Sequence, residues 1–173
     1  MIALLLLACA PVHDVRPPPL MPGPALVFEE IGVEPQPADV LYRRARRWFS
    51  LAFNDAETVL DLEDPIEHVL IAKARLGTPG SELFMTKSTT TSYRVTVETQ
   101  EARYRVVVGP FKPDGLPVLT VDEEPPVWDW VDDVGRYVVE WQAAKADATS
   151  TARTLITSLR DEMGRPTLSP EPW

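Results

Sequence analysis

Between Leu41 and Phe53 the apolar residues Leu41, Ala45, Trp48, Phe49, Ala52 and Phe53 return at steps of three and four. That spacing puts them on one side of an α-helix. Arg43, Arg44, Arg46 and Arg47 fall on the opposite side. Asp39, just ahead, stands where a carboxylate can cap the exposed amides of the helix start. A helix of this length draws most of its stability from tertiary packing of its apolar face. The fold must therefore supply a second apolar layer, while the arginine side stays wet. Trp48 sits mid-stripe and is expected to be buried against that layer, beside Tyr104 or Val106.

The rest of the chain offers strands. Leu26 to Val33 reads as a first strand, ended by Pro35 and Pro37. Glu57 to Leu62 and His68 to Leu76 are the next two, with turn chemistry at Glu63-Asp64-Pro65-Ile66. Gly77-Thr78-Pro79-Gly80 interrupts the pattern, and Leu83 to Thr89 is a further strand candidate. Tyr93 to Val108 alternates apolar and polar residues and reads as a hairpin. A turn at Gln100-Glu101 would set Val97 opposite Tyr104 and Glu98 opposite Arg103. Gly109 to Pro126 is irregular and rich in proline.

Helical spacing returns from Trp128. Val131, Val134, Val138 and Trp141 form a stripe that Ala148, Ala152, Leu155, Leu159 and Met163 continue. Thr149-Ser150-Thr151 has poor helix propensity and predicts a break or bend. Gly164 and Pro166 end the helix. The expected architecture is α+β: an antiparallel β-sheet with two amphipathic helices packed on one face. It occupies residues 26–165 as a single domain, followed by a tail over 166–173.

The N-terminus points to export. Met1 to Cys9 is an apolar run too short to span a bilayer, which takes about 20 residues. It reads as a signal peptide. Leu6-Leu7-Ala8-Cys9 resembles the bacterial lipobox, whose cysteine becomes the lipidated first residue. Residues 10–25 hold Pro11, Pro17, Pro18, Pro19, Pro22 and Pro24, a stiff extended spacer. The expected location is the bacterial cell envelope, lipid-anchored through Cys9, at the outer membrane and facing the periplasm.

Leu41-Tyr42, Ala45, Trp48-Phe49 and Phe53 together resemble the motif of bacterial domain of unknown function 4468. The similarity runs from about Val27 to Val108. The resemblance implies a TBP-like fold and a place among envelope proteins. It implies no activity, since that family has no assigned chemistry, and fold alone does not give function.

Composition and motifs restrict the chemistry. The formal net charge of −9 opposes general nucleic-acid binding, because a phosphate backbone would be repelled. The histidines are His13 and His68, without metal-ligand spacing. Neither a nucleophile elbow nor a phosphate-binding glycine loop is present, and no cofactor or metal is expected. Arg43, Arg44, Arg46 and Arg47 are candidates for binding an anion or a partner, against the plainer reading of a solvated helix face. Asp122-Glu123-Glu124 and Asp129, Asp132 and Asp133 match no calcium-loop spacing. Trp128, Asp129 and Trp130 are candidates for stacking on a ligand, or simply dock the helix start. The expected function is a membrane-anchored envelope lipoprotein with a non-catalytic binding domain, its partner an envelope protein or polymer. The alternatives are a carboxylate-dependent hydrolase of envelope polymers working near Trp128 to Asp133, and a structural subunit of an envelope assembly.

Overall fold

The computed structural model describes residues 23–53, 60–78, 88–122 and 134–166. In chain order the elements are β1 (Phe28–Val33), α1 (Ala38–Ala52), β2 (Leu60–Asp64), β3 (Val69–Thr78), β4 (Thr89–Gln100), β5 (Arg103–Val108), β6 (Lys112–Pro113) and α2 (Val134–Met163). The strands form one sheet in the order β1-β5-β4-β3-β2, and β6 pairs with β4. Every pairing is antiparallel. The expected strand at Glu57 to Leu62 begins at Leu60 among the described residues, and most of the candidate at Leu83 to Thr89 lies outside them.

Alternation decides which face of the sheet is covered. On β4, Thr91, Tyr93, Val95, Val97 and Thr99 are buried; on β5, Tyr104, Val106 and Val108; on β3, Leu70 and Ala72. These side chains share one face, and both helices lie on it. α1 contributes Leu41, Tyr42, Ala45, Trp48 and Phe49. α2 contributes Trp141, Leu155, Ile156, Leu159 and Met163, with the small Ala144, Ala148 and Ala152 between them. The larger aliphatic and phenylalanine side chains among them each contribute roughly 1.5–3 kcal/mol by leaving water. The segment after β5 adds to the same core: Phe111 stacks on Tyr93 at 5.1 Å and meets Phe28 edge-on at 6.2 Å, and Leu119 is fully buried.

Several local expectations change. α1 starts after Pro37 with no side-chain cap, so Asp39 is not the capping residue. The hairpin turn caps instead: the Ala38 amide donates to Glu101 Oε2 at 3.4 Å. The stripe of α1 is also rotated toward its start. Tyr42 is buried, whereas Ala52 is exposed and Phe53 half-buried, because the helix ends at Ala52 and Phe53 is already extended. Trp48 is buried as expected, but its indole Nε1 donates to Ser158 Oγ of α2 at 2.9 Å, so it ties the two helices together.

The hairpin turn lies at Glu101-Ala102, one residue later than expected. Val97 therefore opposes Val106, and Glu98 opposes Arg105. The cause is tertiary. The Ala102 amide donates to Gln36 O, and the Glu34 amide donates to Ala102 O, both at 3.0 Å. These bonds to the β1–α1 connection hold Ala102 at φ 60°, a left-handed conformation that local propensity disfavours for alanine. Moving a turn by one residue shifts the pairing by two, so every side chain keeps its face.

α2 runs unbroken through Thr149-Ser150-Thr151. Thr149 Oγ1 donates to Lys145 O at 2.8 Å and Thr154 Oγ1 to Ser150 O at 3.0 Å, satisfying the hydroxyls within the helix itself. His68, expected to open a strand, sits in the β2–β3 turn at φ 56°. Asp64 organises that turn, its Oδ1 accepting from the Ile66 and Glu67 amides at 2.9 and 3.0 Å.

One glycine is required by packing. Gly32 on β1 faces Tyr104 on β5, and a Cβ there would stand 2.2 Å from two ring carbons of Tyr104. The missing side chain is the space the Tyr104 ring occupies. Burial, with Glu30 nearby, pushes the Tyr104 hydroxyl's pKa up, against the opposing pull of Arg160.

Candidate functional site

The sheet has a second face, and no described element lies on it. There the side chains alternate out of the core: Glu29, Ile31 and Val33 from β1, Arg103, Arg105 and Val107 from β5, and Arg94, Thr96, Glu98 and Gln100 from β4. Register sets them in rows across three strands. Val33, Arg103 and Gln100 make one row; Ile31, Arg105 and Glu98 make the next. Between these rows is a half-enclosed depression of about 220 Å³, lined by Ile31, Glu98, Gln100, Arg103, Tyr104 and Arg105.

The two arginines differ in their electrostatics. Arg105 bridges two carboxylates, with Nε 2.7 Å from Glu29 Oε1 and Nη1 3.3 Å from Glu98 Oε2. The hydrogen bond and charge of Arg105 hold the Glu29 pKa below its ordinary value, and the two glutamates raise that of Arg105. Arg103 has no carboxylate partner among the described residues. Its Nε donates to Gln100 Oε1 at 2.9 Å, and Nη2 donates to the same oxygen. Its charge thus rests against a neutral amide. Ile31 and Val33, 62% and 77% exposed, form an apolar wall beside it.

The arginines of α1 prove to be engaged in the fold. Arg44 Nη1 donates to Met163 O at the end of α2, where a cation is favoured by the carbonyls. Arg46 Nε is 2.6 Å from Glu63 Oε1. Arg47 lies 3.8 Å from the buried Glu162, which also pairs with Arg165 at 2.9 Å. Arg43 is exposed and has no ion pair among the described residues. The four guanidinium groups therefore do not converge on one site.

Cys9, Trp128, Asp129 and Trp130 lie outside the described residues, as do Glu123, Glu124, Asp132 and Asp133. Asp122 is exposed and accepts from the Gly23 amide at 3.0 Å. Among the described residues no group of three histidine, cysteine or acidic side chains is placed to hold a metal ion, and no helix is long and apolar enough to cross a membrane. His68 Nε2 meets Asp39 Oδ1 at 2.7 Å with the Tyr42 ring edge-on beside it, an arrangement that clasps the β2–β3 turn to the start of α1.

Sequence reasoning missed the depression. Its signal was present in the outward residues of the hairpin, Glu98, Gln100, Arg103 and Arg105, but they meet only in the register that the Glu34 and Gln36 contacts impose.

An antiparallel sheet with two helices on one face and nothing described on the other defines an α+β domain of the TBP-like kind. Residues 28–112 match the family described as "Domain of unknown function (DUF4468) with TBP-like fold". Two solved structures share the fold. A DUF4468 family protein from Bacteroides ovatus is 13% identical, with a TM-score of 0.57 over 84% of this chain and 90% of that one. A TBP-like protein from Parabacteroides distasonis is 6% identical, with a TM-score of 0.58 over 83% of this chain and 95% of that one. No curated protein matches the chain.

Proposed function

We propose that this chain is a lipid-anchored envelope protein whose domain works by binding rather than by chemistry, and that it binds through the open face of its sheet. The observation that carries this reading is the asymmetry of the sheet. One face is sealed by α1 and α2, while the other presents a half-enclosed depression with charged and apolar walls. Side chains on paired strands are held more precisely than side chains on loops, which suits a recognition surface. The arginine face of α1 is the weaker candidate, because Arg44, Arg46 and Arg47 are engaged within the domain.

Anchoring is supported by Leu6-Leu7-Ala8-Cys9 and by the proline-rich residues 10–25 that follow. Several acyl chains on Cys9 would give stable attachment, at about 0.8 kcal/mol per buried methylene. The spacer would hold the domain away from the lipid, at the outer membrane and facing the periplasm. The partner is then an envelope protein or polymer, and the net charge of −9 disfavours nucleic acid.

Two measurements test the proposal in a bacterial host. Wild-type protein should take up labelled fatty acid, and Cys9→Ser should not. A photo-crosslinker at Thr96, on the open face, should capture an envelope component; one at Arg43, on the outer side of α1, should not. Unlabelled cytoplasmic protein refutes the anchoring, and capture only from Arg43 refutes the choice of face.

A further inference from the structure

We infer that the depression on the open sheet face receives the C-terminal carboxylate of a peptide ending in an apolar residue. This rests on the reading of that face as the binding surface. Glu29 and Glu98 both lie on Arg105, so that guanidinium is already compensated. Arg103 is not, among the described residues: its Nε and Nη2 both donate to one neutral oxygen, Gln100 Oε1. A guanidinium has five N–H donors in a rigid fork, so donors remain for an incoming anion. Gln100 meanwhile fixes the plane of the fork, which lowers the ordering cost of binding.

Glu98 lines the same depression, and Glu29 stands one row away. A doubly charged phosphate would face both carboxylates, whereas a single carboxylate can meet Arg103 with less repulsion. The wall opposite is apolar, formed by Ile31 with Val33 beside it. The ligand group is therefore a carboxylate next to an apolar side chain. The volume of about 220 Å³ suits one residue; drug-sized ligands occupy roughly 300–1,000 Å³.

The sheet edge favours a peptide over a free fatty acid. β1 stands at the end of the strand order, so among the described residues its outer backbone groups have no strand partner. An extended segment can pair along such an edge. Its last residue would then cross Ile31 into the depression, while earlier residues run along β1.

The test uses the full chain in detergent and three probes: acetyl-Ala-Ala-Leu, its C-terminal carboxamide, and inorganic phosphate. The free acid should bind and shift the backbone amide resonances of Ile31, Gln100 and Arg103, and the carboxamide should bind at least about tenfold more weakly. Arg103→Gln should reduce the acid to the level of the carboxamide without moving the melting temperature. Ile31→Ser should weaken both peptides. Equal binding of acid and carboxamide overturns the inference, as does a preference that survives Arg103→Gln. So does displacement of the peptide by an equal concentration of phosphate, which would mark a general anion patch. If neither peptide binds while crosslinks from Thr96 still form, this inference fails and the binding face stands. If both are absent, both readings fail.

Discussion

Trp48→Ala is the most informative single change, because Trp48 joins α1 to α2 through a buried ring as well as a hydrogen bond. The side chain is buried, with ring centroids 4.9 Å from Phe49 and 5.9 Å from Phe53, and its N–H is bonded to Ser158. Truncating a buried tryptophan costs about 3–5 kcal/mol in lost transfer energy and residual cavity. A domain of this size has a total stability of about 5–15 kcal/mol, so the loss is a large fraction. At roughly 3 °C per kcal/mol for this chain length, melting should fall by about 9–15 °C. Two further variants separate packing from the hydrogen bond. Ser158→Ala leaves the buried indole N–H without its acceptor, at about 1–3 kcal/mol. Trp48→Phe keeps an aromatic ring, and Ser158 Oγ still donates to Leu155 O, so no buried donor is orphaned. Thermal and urea unfolding followed by circular dichroism give both quantities, and the double variant gives the coupling. A Trp48→Ala protein that melts within 3 °C of wild type would show that α1 does not draw its stability from this contact.

Gly32→Ala should destabilise by about 1–3 kcal/mol, the cost of overpacking, and combining it with Tyr104→Leu should recover part of the loss; urea midpoints measure both. Arg43→Glu should change stability by less than about 0.5 kcal/mol. Arg47→Glu should cost more, since it sets a carboxylate beside the buried Glu162; parallel melts would refute this if the two were equal. Glu29 has a folded pKa below its unfolded value, so its pairing with Arg105 contributes stability above the ordinary glutamate range and loses it as pH falls through the folded pKa. Glu29→Gln should accordingly lower stability at neutral pH and converge with wild type in acid, and a constant difference across the titration would refute the assignment.

Periodicity carried most of the fold. The stripe from Leu41 to Phe49, the alternation from Tyr93 to Val108 and the stripe from Trp141 to Met163 each named a buried face that the structure keeps. What stayed illegible depended on contacts between distant residues. The turn at Ala102 is held by Glu34 and Gln36. The orientation of Trp48 is set by a serine 110 residues away. Phe111 and Leu119 enter the core from a proline-rich stretch with no period to betray them. The depression was hidden for the same reason as the turn, since Gln100 and Arg103 become neighbours only once the register is fixed.

The strand order has a consequence for how the chain assembles. β2, β3 and β4 are each paired with the strand next in sequence, whereas β1 is paired only with β5 among the described residues. Its partner residues are about as far apart in the chain as Phe28 and Val108. Closing a loop that long costs entropy before any contact rewards it. The meander from β2 to β5 can therefore form while β1 waits, with Phe28, Ile31 and Val33 in water. A chain threaded outward from its N-terminus would deliver β1 first and its partner last. Pulsed hydrogen exchange during refolding should then protect Val97 and Val107, whose amides face β3 and β4, before Glu30, whose amide faces β5, and simultaneous protection would refute that order. Until Val108 arrives, β1 is open to pairing with the wrong strand.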